Sequence, residues 1–226
     1  MATVFLLSPA YCGGRRAAML LRSGSQLAIA RRLQADTLTL GEAFTFMSGL
    51  YFRGKIAYAR TFAPDLDSTL VITPTRGLRS PEMVVSQQLL HEFAAVDIAS
   101  DDVRYSRPLE RDLEGLAARL PDDARVVLLG SVATGKYVDI LVPRLGERLQ
   151  FPSSFVGRGD MSRGGLLLRH AASGIELEYS VLRPDTSRRG PRPPKLDPNT
   201  RVMPQDDRRV VPPAARRIRS TARLIE

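Results

Sequence analysis

The chain has one cysteine, Cys12, and two histidines, His91 and His170, in 226 residues. A lone thiol cannot close an internal disulfide, which points to a reducing compartment. The histidines lack HExxH or Cys/His ligand spacing, so no zinc or other metal site is expected. There is no GxSxG elbow, no GxxxxGKS and no GxGxxG, and no cofactor is expected. No apolar run of about 18 residues occurs, which excludes a membrane-spanning helix. Met1 to Leu7 is too short and lacks the basic start of a secretory signal. A cytoplasmic protein is the expectation. No internal repeat is found, and nothing in the sequence sets the oligomeric state.

What is present is positive charge, unevenly placed. The formal net charge is +9. Residues 183–226 carry 12 Lys/Arg and 5 Asp/Glu, leaving 21 and 19 in the rest of the chain. The body is nearly neutral and the end is basic. The end is also proline-rich, which predicts an extended, disordered tail. We therefore expect one α/β domain over 1–182 and a basic Pro/Arg-rich tail over 183–226.

Short apolar runs read as buried strands: Thr3 to Leu7, Thr69 to Thr73, Arg125 to Gly130, and Gln150-Phe151. Helical spacing of apolar residues marks Thr39 to Phe62, Val84 to Ile98 and Leu109 to Leu120. Helices are also read from Arg15 onward, over Gln26 to Leu33, and over Lys136 to Leu145. Leu166 to Ala171 and Ile175 to Val181 flank Ala-Ser-Gly and read as a late β-hairpin. The fold class expected is mixed α/β: a central mixed sheet covered by helices.

Five segments are candidates to receive an anion. Ser8 to Arg16 places a Gly13-Gly14 turn and two arginines, Arg15 and Arg16, between a strand and a helix, where backbone N–H groups favour negative charge. The same setting favours a thiolate at Cys12; the plainer reading is a spectator thiol. Tyr51 to Lys55 interleaves aromatics with Arg53 and Lys55, a pattern that suits phosphate and base stacking, or simply a core. Two more segments, Thr73 to Pro81 with Arg76 and Gly130 to Tyr137 with Lys136, follow strand ends, where open α/β sheets collect ligands. Val156 to Gly165 packs four glycines, Arg158, Asp160, Ser162 and Arg163 into a polar stretch that reads as a binding loop. Asp160 is the best-placed carboxylate for acid–base work.

The order of these segments also resembles a known family. Leu7-Ser8-Pro9-Ala10 is similar to an opening Ile-Ser-Pro-Ala-Lys motif, with Tyr11 in place of the lysine. Phe52-Arg53-Gly54 with Tyr58 is similar to a Phe-Lys-Gly segment near a tyrosine. Gly77 to Pro81 and Tyr105 to Glu110 resemble a Gly/Leu/Arg/Pro turn and a Tyr-Arg-Leu-Glu segment. Arg158 to Arg163 matches a late Arg-Gly-x-Met-Ser-Arg. In these motifs the chain resembles the YaaA family of peroxide stress proteins. Leu50 to Ala59 resembles a second family, DUF6884. The YaaA resemblance implies a mixed α/β fold with a basic cleft, DNA binding, and a role in limiting oxidative, iron-dependent damage.

The resulting expectation is a nucleic-acid-binding protein. Ser8, Arg15, Arg16, Arg53, Lys55, Arg76, Lys136, Arg158, Ser162 and Arg163 would meet phosphates. The alternative is an enzyme acting on a nucleotide or nucleobase in the same cleft, with Asp160 or Cys12 as the reactive group. A third option is an interaction module working through its tail.

Overall fold

The computed structural model describes residues 2–196. Six strands form one sheet in the order β3-β2-β1-β4-β5-β6. Strand β1 (Thr3–Leu7) pairs in parallel with β2 (Thr69–Thr73) on one side and β4 (Arg125–Leu129) on the other. Strand β5 (Leu149–Pro152) continues the parallel run beside β4. The short edges, β3 (Gly77–Arg79) and β6 (Tyr179–Val181), are antiparallel to β2 and β5. The expected mixed sheet covered by helices is the observed fold.

Strand β1 is buried along its whole length, so the period of two divides its side chains between two cores. Phe5 and Leu7 join Val71, Val127 and Leu129 on one face. Val4 and Leu6 join Ile72, Val126 and Leu128 on the other. The first face is covered by α1 (Arg15–Leu21), α2 (Ala28–Gln34), α3 (Leu40–Ser48), α4 (Leu50–Phe62), α5 (Gln87–Ala94) and α8 (Asp160–Ser173). The second is covered by α6 (Val103–Arg119) and α7 (Gly135–Leu145). The chain winds from β1 outward to β2, then crosses back over β1 to β4. The segments leaving β1 and β4 therefore diverge, toward α1 on one face and α7 on the other, leaving a crevice at this switch point.

Local chemistry sets the helix ends. A capping box starts α3: the Thr39 hydroxyl accepts from the Glu42 N–H, and the Glu42 carboxylate accepts from the Thr39 N–H at 3.0 Å. The long expected helix over Thr39 to Phe62 is two helices, separated at Gly49. Pro108 lies inside α6 rather than before it. It forfeits one backbone hydrogen bond, and Tyr105, Leu109, Leu113 and Leu116 still bury one continuous face.

The late hairpin is corrected. Leu166 to Ala171 is part of α8, and β6 takes β5 as its partner. Gly174, at φ +68°, is the left-handed residue that ends α8, so Ala-Ser-Gly is a helix stop and not a hairpin turn. The polar stretch Val156 to Gly165 is likewise mostly helix, since α8 begins at Asp160.

Beyond β6 the chain runs back along the body. Arg183 Nε donates to Glu147 at 2.8 Å, Pro194 O accepts from Arg158 at 3.4 Å, and Leu196 packs against the first core. The rest of the expected tail lies outside the described residues. Among the described residues, no helix is long and apolar enough to cross a membrane.

Candidate functional site at the sheet switch point

A cleft of about 910 Å³ opens where β1 and β4 diverge. Ser8 contributes from the end of β1, Lys136 and Tyr137 from the start of α7, Tyr51 and Lys55 from α4, and Asp160 from the start of α8. Tyr105 steadies the α7 side, donating from its hydroxyl to Lys136 O at 3.0 Å.

The α4 side is brought in by an unusually close helix crossing. A Cβ on Gly54 would stand 2.6 Å from Gly164 O, and one on Gly164 would stand 2.7 Å from Leu50 O. Only glycine at both positions lets the two backbones meet, and this contact sets Asp160 and Arg163 of α8 beside Lys55 of α4.

Lys55 is 1% exposed. Its Nζ donates to Ser8 O at 2.9 Å and lies 2.6 Å from Ser8 Oγ. Tyr51, one helical turn earlier, presents its ring face 3.9 Å from the same nitrogen. Burying an ammonium is costly, and among the described residues no carboxylate pairs with it directly. Desolvation pulls the Lys55 amine down from its ordinary range to about 7; Asp160 opposes the fall and Arg163 adds to it. The amine is thus poised between charged and neutral forms at neutral pH.

The Ser8 side chain is held from three sides. Its Oγ donates weakly to Leu129 O at 3.4 Å, meets Lys55, and hydrogen-bonds the Tyr137 hydroxyl. Burial pushes the Tyr137 phenol up, so it stays protonated. Tyr51 is 5% exposed, and its hydroxyl has no hydrogen-bond partner of normal geometry. The Arg163 guanidinium acts on this hydroxyl but can only donate, so among the described residues the Tyr51 O–H proton lacks an acceptor.

The expected site residues divide into two sets. Ser8, Cys12, Arg15, Arg16, Lys55, Lys136 and Asp160 line the cleft. Arg16 also donates to Phe46 O at 3.3 Å, at the end of α3. The others do not line it. Arg53 is exposed on α4. Arg76 is paired with Glu92 at 2.5 Å. Arg158 donates to Ser154 O at 3.0 Å, to Ser162 Oγ at 3.2 Å and to Pro194 O, so both it and Ser162 hold loop and chain end together. Arg163 is buried, donating to Phe155 O at 3.2 Å and pairing with Asp160 at 3.3 Å, which makes it a packing residue beside the cleft.

Cys12 is not a thiolate. Its Sγ contacts Ala10 O at 3.6 Å, and burial pushes the thiol up to about 12, against the lowering expected from a helix start and arginines. Asp160 stands at the lip, with 70% of its side chain exposed. Among the described residues, no three His, Cys, Asp or Glu side chains cluster as metal ligands would.

Sequence reasoning placed Tyr51 in a stretch that suits base stacking or a core, and Tyr137 at the end of an anion-binding segment, but singled out neither as a site residue. The signal was the phenol itself: a tyrosine buried by its ring still needs a partner for its hydroxyl.

Fold and site together define a doubly wound α/β protein with a buried lysine–serine contact at its switch point. In comparison with known protein families, curated proteins and solved structures, the chain shows no match.

Proposed function

We propose that the protein binds a nucleotide-class anion in the switch-point cleft and acts on it there. The observation that carries this is the Lys55 amine at the cleft floor, bonded to Ser8 beneath a rim that includes Arg15, Arg16 and Lys136. The cleft volume of about 910 Å³ falls within the range of small-molecule sites, roughly 300–1,000 Å³. Cations at the rim suit phosphate oxygens. Hydroxyls and an aromatic face at the floor suit a base or sugar. A cytoplasmic setting, with its nucleotide pool, fits this assignment.

A thermal-shift series with mononucleotides tests it. A true ligand at 100 times its Kd stabilises the fold by about 2.7 kcal/mol. Lys136→Ala weakens that response. A melt unmoved by every nucleotide rules the proposal out.

A nucleic-acid partner is the second reading, favoured by exposed Arg15 and Arg53 and by the basic stretch over 183–226. It is the reading in keeping with the YaaA resemblance and its oxidative-stress role. It requires duplex affinity that falls with salt at a slope of about 0.9 per neutralised phosphate. Loss of all duplex and single-strand binding at low salt excludes it.

A further inference from the structure

We propose that Ser8 and Lys55 form a nucleophile–base pair that transfers acyl groups from a carboxylic ester or amide carrying an anionic group. The proposal rests on the cleft being the ligand site but not on the ligand being a nucleotide.

The geometry is that of an activated hydroxyl. Ser8 Oγ and Lys55 Nζ are 2.6 Å apart, within the reach a nucleophile and its base require. A neutral amine has two protons and one lone pair. One proton is spoken for by Ser8 O at 2.9 Å, which fixes the rotation of the amine; once the amine is neutral, the Ser8 O–H turns from its weak 3.4 Å contact with Leu129 O toward Nζ, 2.6 Å away, and the lone pair receives its proton. The groups facing the pair are few: Tyr51 on α4, Tyr137 on α7, and Asp160 and Arg163 on α8. None is a carboxylate in contact with Nζ, so nothing locks the amine in its charged form. Its nearness to neutrality at pH 7 agrees with the role of base. The amine is enclosed by Ser8 and the Tyr51 ring, which leaves Ser8 as the attacking group.

The steps balance. Ser8 Oγ bonds to the acyl carbon as its proton passes to Lys55 Nζ, and the carbonyl π pair moves onto oxygen. The Tyr51 O–H, which has no acceptor among the described residues, is the donor available to that oxygen. Collapse breaks the bond to the alcohol or amine, which leaves with the proton from Lys55. Water then attacks the acyl-Ser8 carbon, giving a proton to Lys55, and Ser8 Oγ departs taking that proton back. Arg15, Arg16 and Lys136 hold the anionic part of the substrate at the rim.

The test uses the full chain and an alkyl fluorophosphonate. Ser8 Oγ bonds to phosphorus, fluoride leaves, and the proton goes to Lys55. The expected result is one phosphonyl adduct, mapped to Ser8 by mass spectrometry and absent in Ser8→Ala. The labelling rate climbs about tenfold per pH unit below about pH 7 and levels off above it, as Lys55 loses its proton. Lys55→Arg, which keeps the charge and removes the base, slows labelling about 100-fold or more. The pH profile needs no variant, so a misfolded substitution does not spare the proposal. An unlabelled Ser8, an adduct elsewhere, or a rate flat across pH 6 to 9 overturns it. An unlabelled Ser8 alongside intact nucleotide melting shifts overturns the pair while leaving the ligand reading standing.

Discussion

Replacing Lys55 with methionine should abolish a rise of stability with pH in a narrow window. In the folded chain desolvation brings the amine down to about 7; in the unfolded chain it returns to about 10.5. Between those values the unfolded state binds the extra proton, so wild-type stability rises with pH. The slope approaches about 1.4 kcal/mol per pH unit, giving about 2 kcal/mol between pH 7 and pH 9. The other shifted groups contribute little in this window. The lowered His170 acts below its ordinary value of 6.5, and Glu42, held down to about 2 mainly by Arg32, acts lower still. Cys12 opposes the trend from about pH 8 upward, where the unfolded thiol ionises and the folded one does not, taking back about 0.4 kcal/mol by pH 9. Urea melts at pH 7, 8 and 9 and constant ionic strength read the effect directly. Wild type gains stability across the series, and Lys55→Met stays level to pH 8 and falls slightly by pH 9. A level wild-type curve would falsify the dehydrated state of Lys55 and, with it, the poised amine at the cleft floor.

Two further outcomes follow from packing. Gly164→Ala sets a methyl 2.7 Å from Leu50 O and 2.8 Å from Tyr51 Cα, backbone atoms that cannot step aside. Overpacking of about 1–3 kcal/mol should exceed the roughly 1 kcal/mol that alanine adds to helix propensity, while Gly165→Ala, 3.7 Å from a flexible Leu196 Cδ1, should stabilise. Equal denaturation midpoints for the two variants would contradict the close crossing. Cys12, buried and shifted to about 12, should ignore a disulfide-exchange reagent at pH 8 in the native protein and react on addition of urea.

The sheet was legible because its strands are short runs of apolar residues buried on both sides, and Thr3–Leu7, Thr69–Thr73 and Arg125–Leu129 stand out against any polar background. The start of α8 was not, because Arg158 to Gly165 carries glycines that usually mean a loop. Two of those glycines serve other ends: Gly159 opens the helix, and Gly164 admits α4. The site was half legible. Residues just after β1 and β4 can be placed by topology, which brought Ser8 and Lys136 forward. Charge alone misled for Arg76, Arg158 and Arg163, since an arginine bound to Glu92, a loop carbonyl or a neighbouring aspartate looks the same in a sequence as a free one. The burial of Lys55 is a tertiary fact, created by two helices 100 residues apart in the chain, and no local pattern announces it.

The contact between α4 and α8 also fixes when the lysine changes character. A growing chain that has emerged only as far as β5 has its first strand and α4 but lacks the 14-residue α8 that closes over them. On the pairing proposed above, the amine should stay hydrated and cationic until α8 packs onto α4, so a product truncated before residue 160 should carry the serine and the lysine without the poised amine.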